Sequence, residues 1–184
     1  FRGQTSNKVF EDSVNNIINH SAFIGLRNRG SIIAINSLLR KPSNNLIYQP
    51  CTTTLIRKIF PNIPVKKKTQ NIAFNVAFDR EYLIYGEDKD KILMQISYAI
   101  KMLLKMEYKI YYLAHCRGDL QFIKYIDDIK SQVKVIDISE YYPGFIYQLY
   151  NKMDCVIGMR GHAQMIPFGL NCEIISLGSH EKMK

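Results

Sequence analysis

Five short apolar runs separated by helix-patterned stretches limit this chain's fold more than any other feature. They are Ile72-Ala73-Phe74-Asn75-Val76-Ala77-Phe78, Lys109 to Ala114, Val133 to Asp137, Asp154 to Gly158 and Glu173 to Leu177. Each is short and rich in the β-branched and aromatic residues that suit a pleated surface. Between the first two, Ile92, Ile96, Ala99, Ile100 and Leu103 recur at helical spacing, which predicts a helix capped by Asp88 and running to about Met106. Residues 118–130 read as a second helix. Pro143 opens a third, since a first turn tolerates proline, and His162 to Gly169 form a fourth. Strands joined through helices run parallel, and a parallel sheet needs both faces covered. With right-handed crossovers, the expected fold is α/β, a doubly wound, Rossmann-like parallel sheet.

Ahead of residue 69 the signals are shorter. Lys8 to Asn19 predicts a helix with Val14, Ile17 and Ile18 on one face, and Ala22 to Leu26 a buried strand. Arg27-Asn28-Arg29-Gly30 turns into a helix from Ser31 to Leu39. Ile47 to Gln49 is a further strand, and a short helix follows Cys51-Thr52-Thr53-Thr54. Pro61-Asn62-Ile63-Pro64 and Lys66-Lys67-Lys68 read as a linker. The expected organisation is therefore an incomplete Rossmann-like half with linker over 1–68, and a Rossmann-like domain, cut short at its end, over 69–184. Phe1-Arg2-Gly3-Gln4 reads as a start in mid-protein.

Composition removes several classes. With 47% hydrophobic and 22% charged residues the chain can bury a core, which excludes disorder and collagen-like structure. No apolar run approaches the ~18–20 residues of a membrane span. Cys51, Cys116, Cys155 and Cys172 lie far apart, with no CxxC pair and no histidine at zinc spacing, so neither a metal scaffold nor a disulfide scaffold is expected. Cys155 and Cys172 sit among apolar residues and read as reduced core thiols, which suits a cytosolic compartment. The net charge of +9 favours anionic partners. Outside Lys66–Lys68 the basic residues are scattered along helices like a solvated face. No basic-aromatic stripe or reader motif points to nucleic acid.

A strand order of 3-2-1-4-5 would place a binding crevice between the first and fourth strands, beyond their carboxyl ends. The first strand ends in Asp79-Arg80, the fourth in Arg160-Gly161-His162, and the second in His115-Cys116-Arg117-Gly118-Asp119. Arg160, Gly161 and His162 bring a guanidinium, a glycine and an imidazole to a helix start, whose unpaired N–H groups favour phosphate or carboxylate. The imidazole of His162 can give or take a proton. The alternative stands beside it: Arg160 pairs with a nearby carboxylate and His162 only caps the helix. Asp79 and Arg80 are a site edge or a solvent-facing ion pair. His115 with Asp119 is a His–carboxylate pair that orients substrate hydroxyls, or Asp119 only charge-balances a helix start. Arg27 and Arg29 precede a helix and can reach an anion from the other half. Cys116 reads as a bystander.

The segment Asp154-Cys-Val-Ile-Gly-Met-Arg-Gly-His-Ala-Gln-Met-Ile-Pro-Phe-Gly-Leu-Asn-Cys-Glu-Ile-Ile-Ser-Leu-Gly-Ser-His-Glu-Lys182 resembles the signature region of the polysaccharide pyruvyl transferase family. There a strand ending in Arg-x-His-Ala is followed by a short helix, another strand and a lysine. Phe23-Ile-Gly-Leu-Arg-Asn-Arg-Gly-Ser31 is similar to that family's arginine-containing strand–turn, and Ala114 to Asp119 sits where members carry His and Asp. The resemblance covers roughly residues 20–182 and is most specific after residue 154. Cys51-Thr52-Thr53-Thr54 follows a position where relatives carry aspartate.

The resemblance implies a two-domain, glycosyltransferase-B-like fold. It implies transfer of a pyruvyl group from phosphoenolpyruvate to sugar hydroxyls, leaving a pyruvate ketal on a cell-surface polysaccharide or its precursor. Phosphoenolpyruvate is then a donor substrate, with no cofactor and no metal. The acceptor is a sugar or lipid-linked glycan, and the enzyme is cytoplasmic, at the inner face of the membrane. In residue terms, Arg160, Gly161 and Arg80 hold the donor, with Arg27, Asp119 and Lys182 also on the substrates. His162 is the general acid, and Asp79 or His115 is the base. Two rivals remain: a glycosyltransferase with a nucleotide-sugar donor, for which Tyr141 and Tyr142 offer stacking faces, and a non-catalytic sugar- or anion-binding fragment.

Overall fold

The structure, a computed structural model, describes residues 7–65, 68–79 and 81–178. The chain forms two compact units that divide between Thr52 and Thr53, ahead of the linker expected at 61–68. Of that linker, Lys66 and Lys67 lie outside the described residues.

The first unit contains α1 (Lys8–His20), β1 (Ile24–Leu26), α2 (Arg29–Asn36) and β2 (Leu46–Tyr48). Asn7 caps α1 by accepting the Val9 N–H, and Asn28 caps α2 by accepting the Ser31 N–H at 2.7 Å. Both use the short side-chain oxygen that satisfies a first-turn donor. β1 and β2 pair in parallel, Ile24 opposite Leu46. The strand expected to be buried over Ala22–Leu26 is shorter and half-exposed. Among the described residues its sheet has two strands, so each keeps an edge with no described neighbour.

The second unit is built on a five-stranded parallel sheet: β3 (Asn71–Asn75), β4 (Lys109–Ala114), β5 (Val133–Asp137), β6 (Cys155–Gly158) and β7 (Glu173–Ser176). The spatial order β5-β4-β3-β6-β7 is the 3-2-1-4-5 order on which the crevice between the first and fourth strands depends. Central β3 is buried along its length, with Ala73 opposite both Tyr111 and Val156. Period-two alternation splits its side chains between two cores. Phe74 joins Leu93, Ile96 and Ile100 of α5 (Lys89–Lys105) on one face. Ala73 joins Leu149 and Tyr150 of α6 (Pro143–Tyr150) and Ile166 of α7 (Gly161–Gly169) on the other. Among the described residues, no helix is long and apolar enough to cross a membrane.

Two helix expectations are corrected. Asp88 occupies the position before α5 but makes no capping bond. A preceding helix α4 (Glu81–Tyr85) and a 3-10 turn (Gly86–Asp88) leave its backbone at φ −88°, ψ 15°, away from the extended conformation a cap requires. Residues 118–130 are two 3-10 segments, Arg117–Tyr125 and Asp127–Gln132, rather than an α-helix. The Tyr112 hydroxyl donates to the Asp119 carbonyl at 2.6 Å, tying the first of these segments to β4.

Residues 53–65, including α3 (Ile56–Ile59), pack within the second unit. Ile56 is buried in the α6–α7 core, and Arg57 donates to the Leu170 carbonyl at 3.0 Å and to Asn151 Oδ1 at 2.9 Å. Gly169 lets this segment approach: a Cβ there would lie 2.0 Å from the Thr53 carbonyl oxygen. Gly169→Ala is therefore expected to cost about 1–3 kcal/mol by overpacking, read from the urea midpoint. An unchanged midpoint would show that the segment yields freely.

Candidate active site

The carboxyl ends of β3, β4 and β6 meet at the point where strand order reverses. Asn75, the last residue of β3 and fully buried, ties the three strands together. Its Nδ2 donates to the Leu113 carbonyl at 2.9 Å and to Asp119 Oδ2 at 3.3 Å, while its Oδ1 accepts the Arg160 N–H at 3.2 Å. Asn75 was not among the residues expected at the site. The signal for it was a polar residue inside an otherwise apolar run, because a buried amide has to find partners.

Asp119 and Arg160 form the centre. The fully buried Asp119 carboxylate accepts Arg160 Nε at 2.8 Å and Arg160 Nη2 at 2.7 Å, a two-pronged ion pair. It also accepts the backbone N–H groups of His115 at 3.0 Å and Phe78 at 3.3 Å, and the Cys116 thiol at 3.4 Å. Burial pushes this carboxyl up, but the Arg160 hydrogen bonds and charge, with the His115 N–H and the thiol, outweigh it and hold it below the ordinary carboxylate range. The Asp119 hydrogen bond in turn raises Arg160 against the effect of its own burial, so both partners stay charged. Arg160 Nη2 lies 2.8 Å from Asp79 Oδ1 and 3.0 Å from Cys116 Sγ. The carboxylate pairing weighed from sequence is thus present, and none of these bonds uses Nη1. Cys116 touches both members of the Arg160–Asp119 pair.

Arg160 precedes the first turn of α7 in extended conformation, φ −80°, ψ 143°. Gly161 begins the helix, and among the described residues a Cβ built on it would meet nothing within 4 Å. His162 follows, exposed. Asp79 is exposed where Asp119 is buried, with 45% of its side chain accessible. Arg27 lies exposed on the first unit, in the bend between β1 and α2. Arg80 and Lys182 lie outside the described residues. Among the described residues, no group of three or more His, Cys, Asp and Glu side chains is placed to hold a metal ion.

The expected His115–Asp119 side-chain pair is corrected. Only the backbone N–H of His115 reaches Asp119; its ring Nε2 lies 2.6 Å from the Tyr150 hydroxyl. Burial pushes the imidazole down to about 4, with Asp119 opposing and the charges of Arg160 and His162 adding to the fall. His115 is therefore neutral at physiological pH and packed behind the crevice. Its folded value lies below the ordinary 6.5, so the unfolded chain takes up the proton first as pH falls. The stability it carries is complete above about 6.5 and is lost progressively towards pH 4. His115→Gln is expected to flatten that loss, measured as urea midpoints at stepped pH. An unaltered acid limb in the variant would contradict it.

A family model for polysaccharide pyruvyl transferase matches residues 1–181 of the 184-residue chain. No curated protein and no solved structure matches the chain.

Proposed function

Because the chain belongs to the polysaccharide pyruvyl transferase family, we propose that it moves a pyruvyl group from phosphoenolpyruvate to two hydroxyls of a sugar, forming a pyruvate ketal and releasing phosphate. One observation carries this reading: the buried Asp119 clamp fixes Arg160 at the start of α7, with His162 exposed just beyond. Asp119 takes the Nε–Nη2 edge of the guanidinium, which directs Nη1 and the first N–H groups of α7 to an incoming phosphate or carboxylate. Asp119 and Gly161 are then positioning groups, not donor ligands.

In this reading His162 protonates the methylene carbon of phosphoenolpyruvate, leaving the adjacent carbon electrophilic. One sugar hydroxyl adds there, and a second displaces phosphate to close the ketal. Asp79 is the base for the hydroxyl proton, being the accessible carboxylate beside Arg160. Fixed positive groups stabilise the anionic charge without reorganisation. Arg80, Arg27 and Lys182 are further substrate ligands of the proposal. The protein is taken to have a two-domain, glycosyltransferase-B-like fold and to work in the cytoplasm. A net charge of +9 suits a lipid-linked acceptor beside an acidic membrane face.

The test of the reaction is phosphate release from phosphoenolpyruvate in the presence of a glycan acceptor, with Asp79→Asn alongside. Asp79 competes with the donor for Arg160, so removing its charge is expected to tighten phosphoenolpyruvate binding roughly 3–10-fold. Turnover is expected to fall by about 100-fold or more as the base is lost. Unchanged donor affinity and unchanged turnover would remove Asp79 from the site.

A further inference from the structure

We propose that Tyr141 and Tyr142 form a stacking platform for a pyranose ring, the acceptor subsite of this enzyme. The proposal deepens the pyruvyl-transfer reading and rests on it for the role of the bound sugar.

The two tyrosines follow β5 on the same carboxyl edge of the sheet as Arg160. The Ile138 N–H donates to the Ala114 carbonyl at 2.9 Å, fastening the start of this segment to the end of β4. Arg117, in the loop after β4, pairs with Glu140. The same loop supplies Cys116 and Asp119 to Arg160. One loop therefore touches the arginine on one side and the tyrosine segment on the other. Arg160 follows β6, three strand positions from β5, but its guanidinium reaches across to Cys116 and Asp119 in the loop after β4, the strand next to β5. A sugar on the platform can extend its hydroxyls into the crevice.

Both rings are exposed yet held. Tyr141 is 46% exposed and stacks on Phe145, ring centroids 4.4 Å apart and planes inclined by 23°. Tyr142 is 67% exposed and leans on the bare α-carbon of Gly144, where a Cβ would come within 2.8 Å of its Cε2. The segment itself is rigid: Ser139 donates to Asp137 Oδ1 from both its N–H, at 2.9 Å, and its hydroxyl, at 2.6 Å, and Pro143 fixes the first turn of α6. Rigid aromatic area loses little entropy when it binds. The axial C–H face of a pyranose is apolar and stacks on such rings, while its equatorial hydroxyls reach outward to polar groups. Glu140, Arg117 and Ser139 supply those groups beside Tyr141. The carboxylates of Asp137 and Glu140 in the same segment disfavour the diphosphate of a nucleotide sugar, which stacking alone would also admit.

The test is saturation-transfer NMR on the protein with methyl β-glucopyranoside, methyl β-galactopyranoside and methyl N-acetyl-β-glucosaminide, with uridine diphosphate as a competing probe. At least one glycoside is expected to bind, with the strongest saturation on the protons of one ring face. That binding is expected to weaken about tenfold in Tyr142→Ala and Tyr141→Ala and to survive in Tyr142→Phe. Phosphoenolpyruvate affinity, measured in parallel, should be the same in all three variants. No saturation of any glycoside at tens of millimolar, or glycoside binding indifferent to both alanine variants, would overturn the platform. Displacement of the glycoside by uridine diphosphate, lost in Tyr142→Ala, would reassign it to a nucleotide. Glycoside binding without phosphoenolpyruvate binding in the unaltered protein would sink the pyruvyl reading while leaving a sugar site, so the two failures are distinguishable.

Discussion

Asp119→Ala is expected to destabilise the protein by about 3–5 kcal/mol, the cost of stripping the counter-ion from a buried charge pair. Asp119 is fully buried and satisfies both the Nε and Nη2 groups of Arg160. After its removal the Arg160 side chain retains, among the described residues, the exposed carboxylate of Asp79 and the Cys116 sulfur. The backbone N–H groups of His115 and Phe78 also lose their acceptor. Unsatisfied buried donors add to the loss because they forgo water without gaining a partner. Asp119→Asn keeps one acceptor oxygen and should lose less. Urea unfolding at neutral pH measures both, and a loss under about 1 kcal/mol in Asp119→Ala would mean that the clamp does not hold the strand ends together.

The same carboxylate sets a separate acid limit. Its folded value lies below the ordinary 3.8, so its contribution is complete above that pH and is lost as pH falls through the folded value. His115 weakens the fold earlier, between about 6.5 and 4. The two limbs therefore separate on the pH axis.

His162→Gln is expected to lower turnover by about 10²–10⁴-fold while leaving phosphoenolpyruvate affinity nearly unchanged. The side chain is exposed in the first turn of α7, and the variant's urea midpoint reads any change in the fold separately from turnover. A general acid acts as the proton moves, which is why the loss should fall on turnover rather than on donor binding. Steady-state kinetics with donor and acceptor varied separately provide the measurement. A variant with full turnover would assign the proton to another group, and one that no longer binds donor would make His162 a ligand.

The sheet was legible because strands buried on both faces read as continuous apolar runs. β4 and β5 have the bounds expected from sequence, and the parallel sheet follows from strands joined through helices. What escaped was decided by contacts distant in the chain. The expected helix at 118–130 is two 3-10 segments, the first of them reached by the Tyr112 hydroxyl from β4. At the site, strand-end placement was enough to bring Arg160, Asp79 and Asp119 together. It did not tell which part of His115 faces Asp119, since its ring is claimed by Tyr150, 35 positions later. Arg57, bonded to a carbonyl 113 positions away, left no local mark at all.

Calorimetric titration of phosphoenolpyruvate tests the central claim most directly, with Arg160→Lys and His162→Gln beside the unaltered protein. Lysine is the informative replacement, because alanine would strand the buried Asp119 carboxylate and confound binding with folding. Lysine keeps the charge and loses the planar fork that holds the clamp and the anion together. The expected result is saturable binding that weakens about tenfold or more in Arg160→Lys and persists in His162→Gln. Absence of saturable heat in the folded, unaltered protein, or equal affinity in Arg160→Lys, would contradict an arginine-centred donor site.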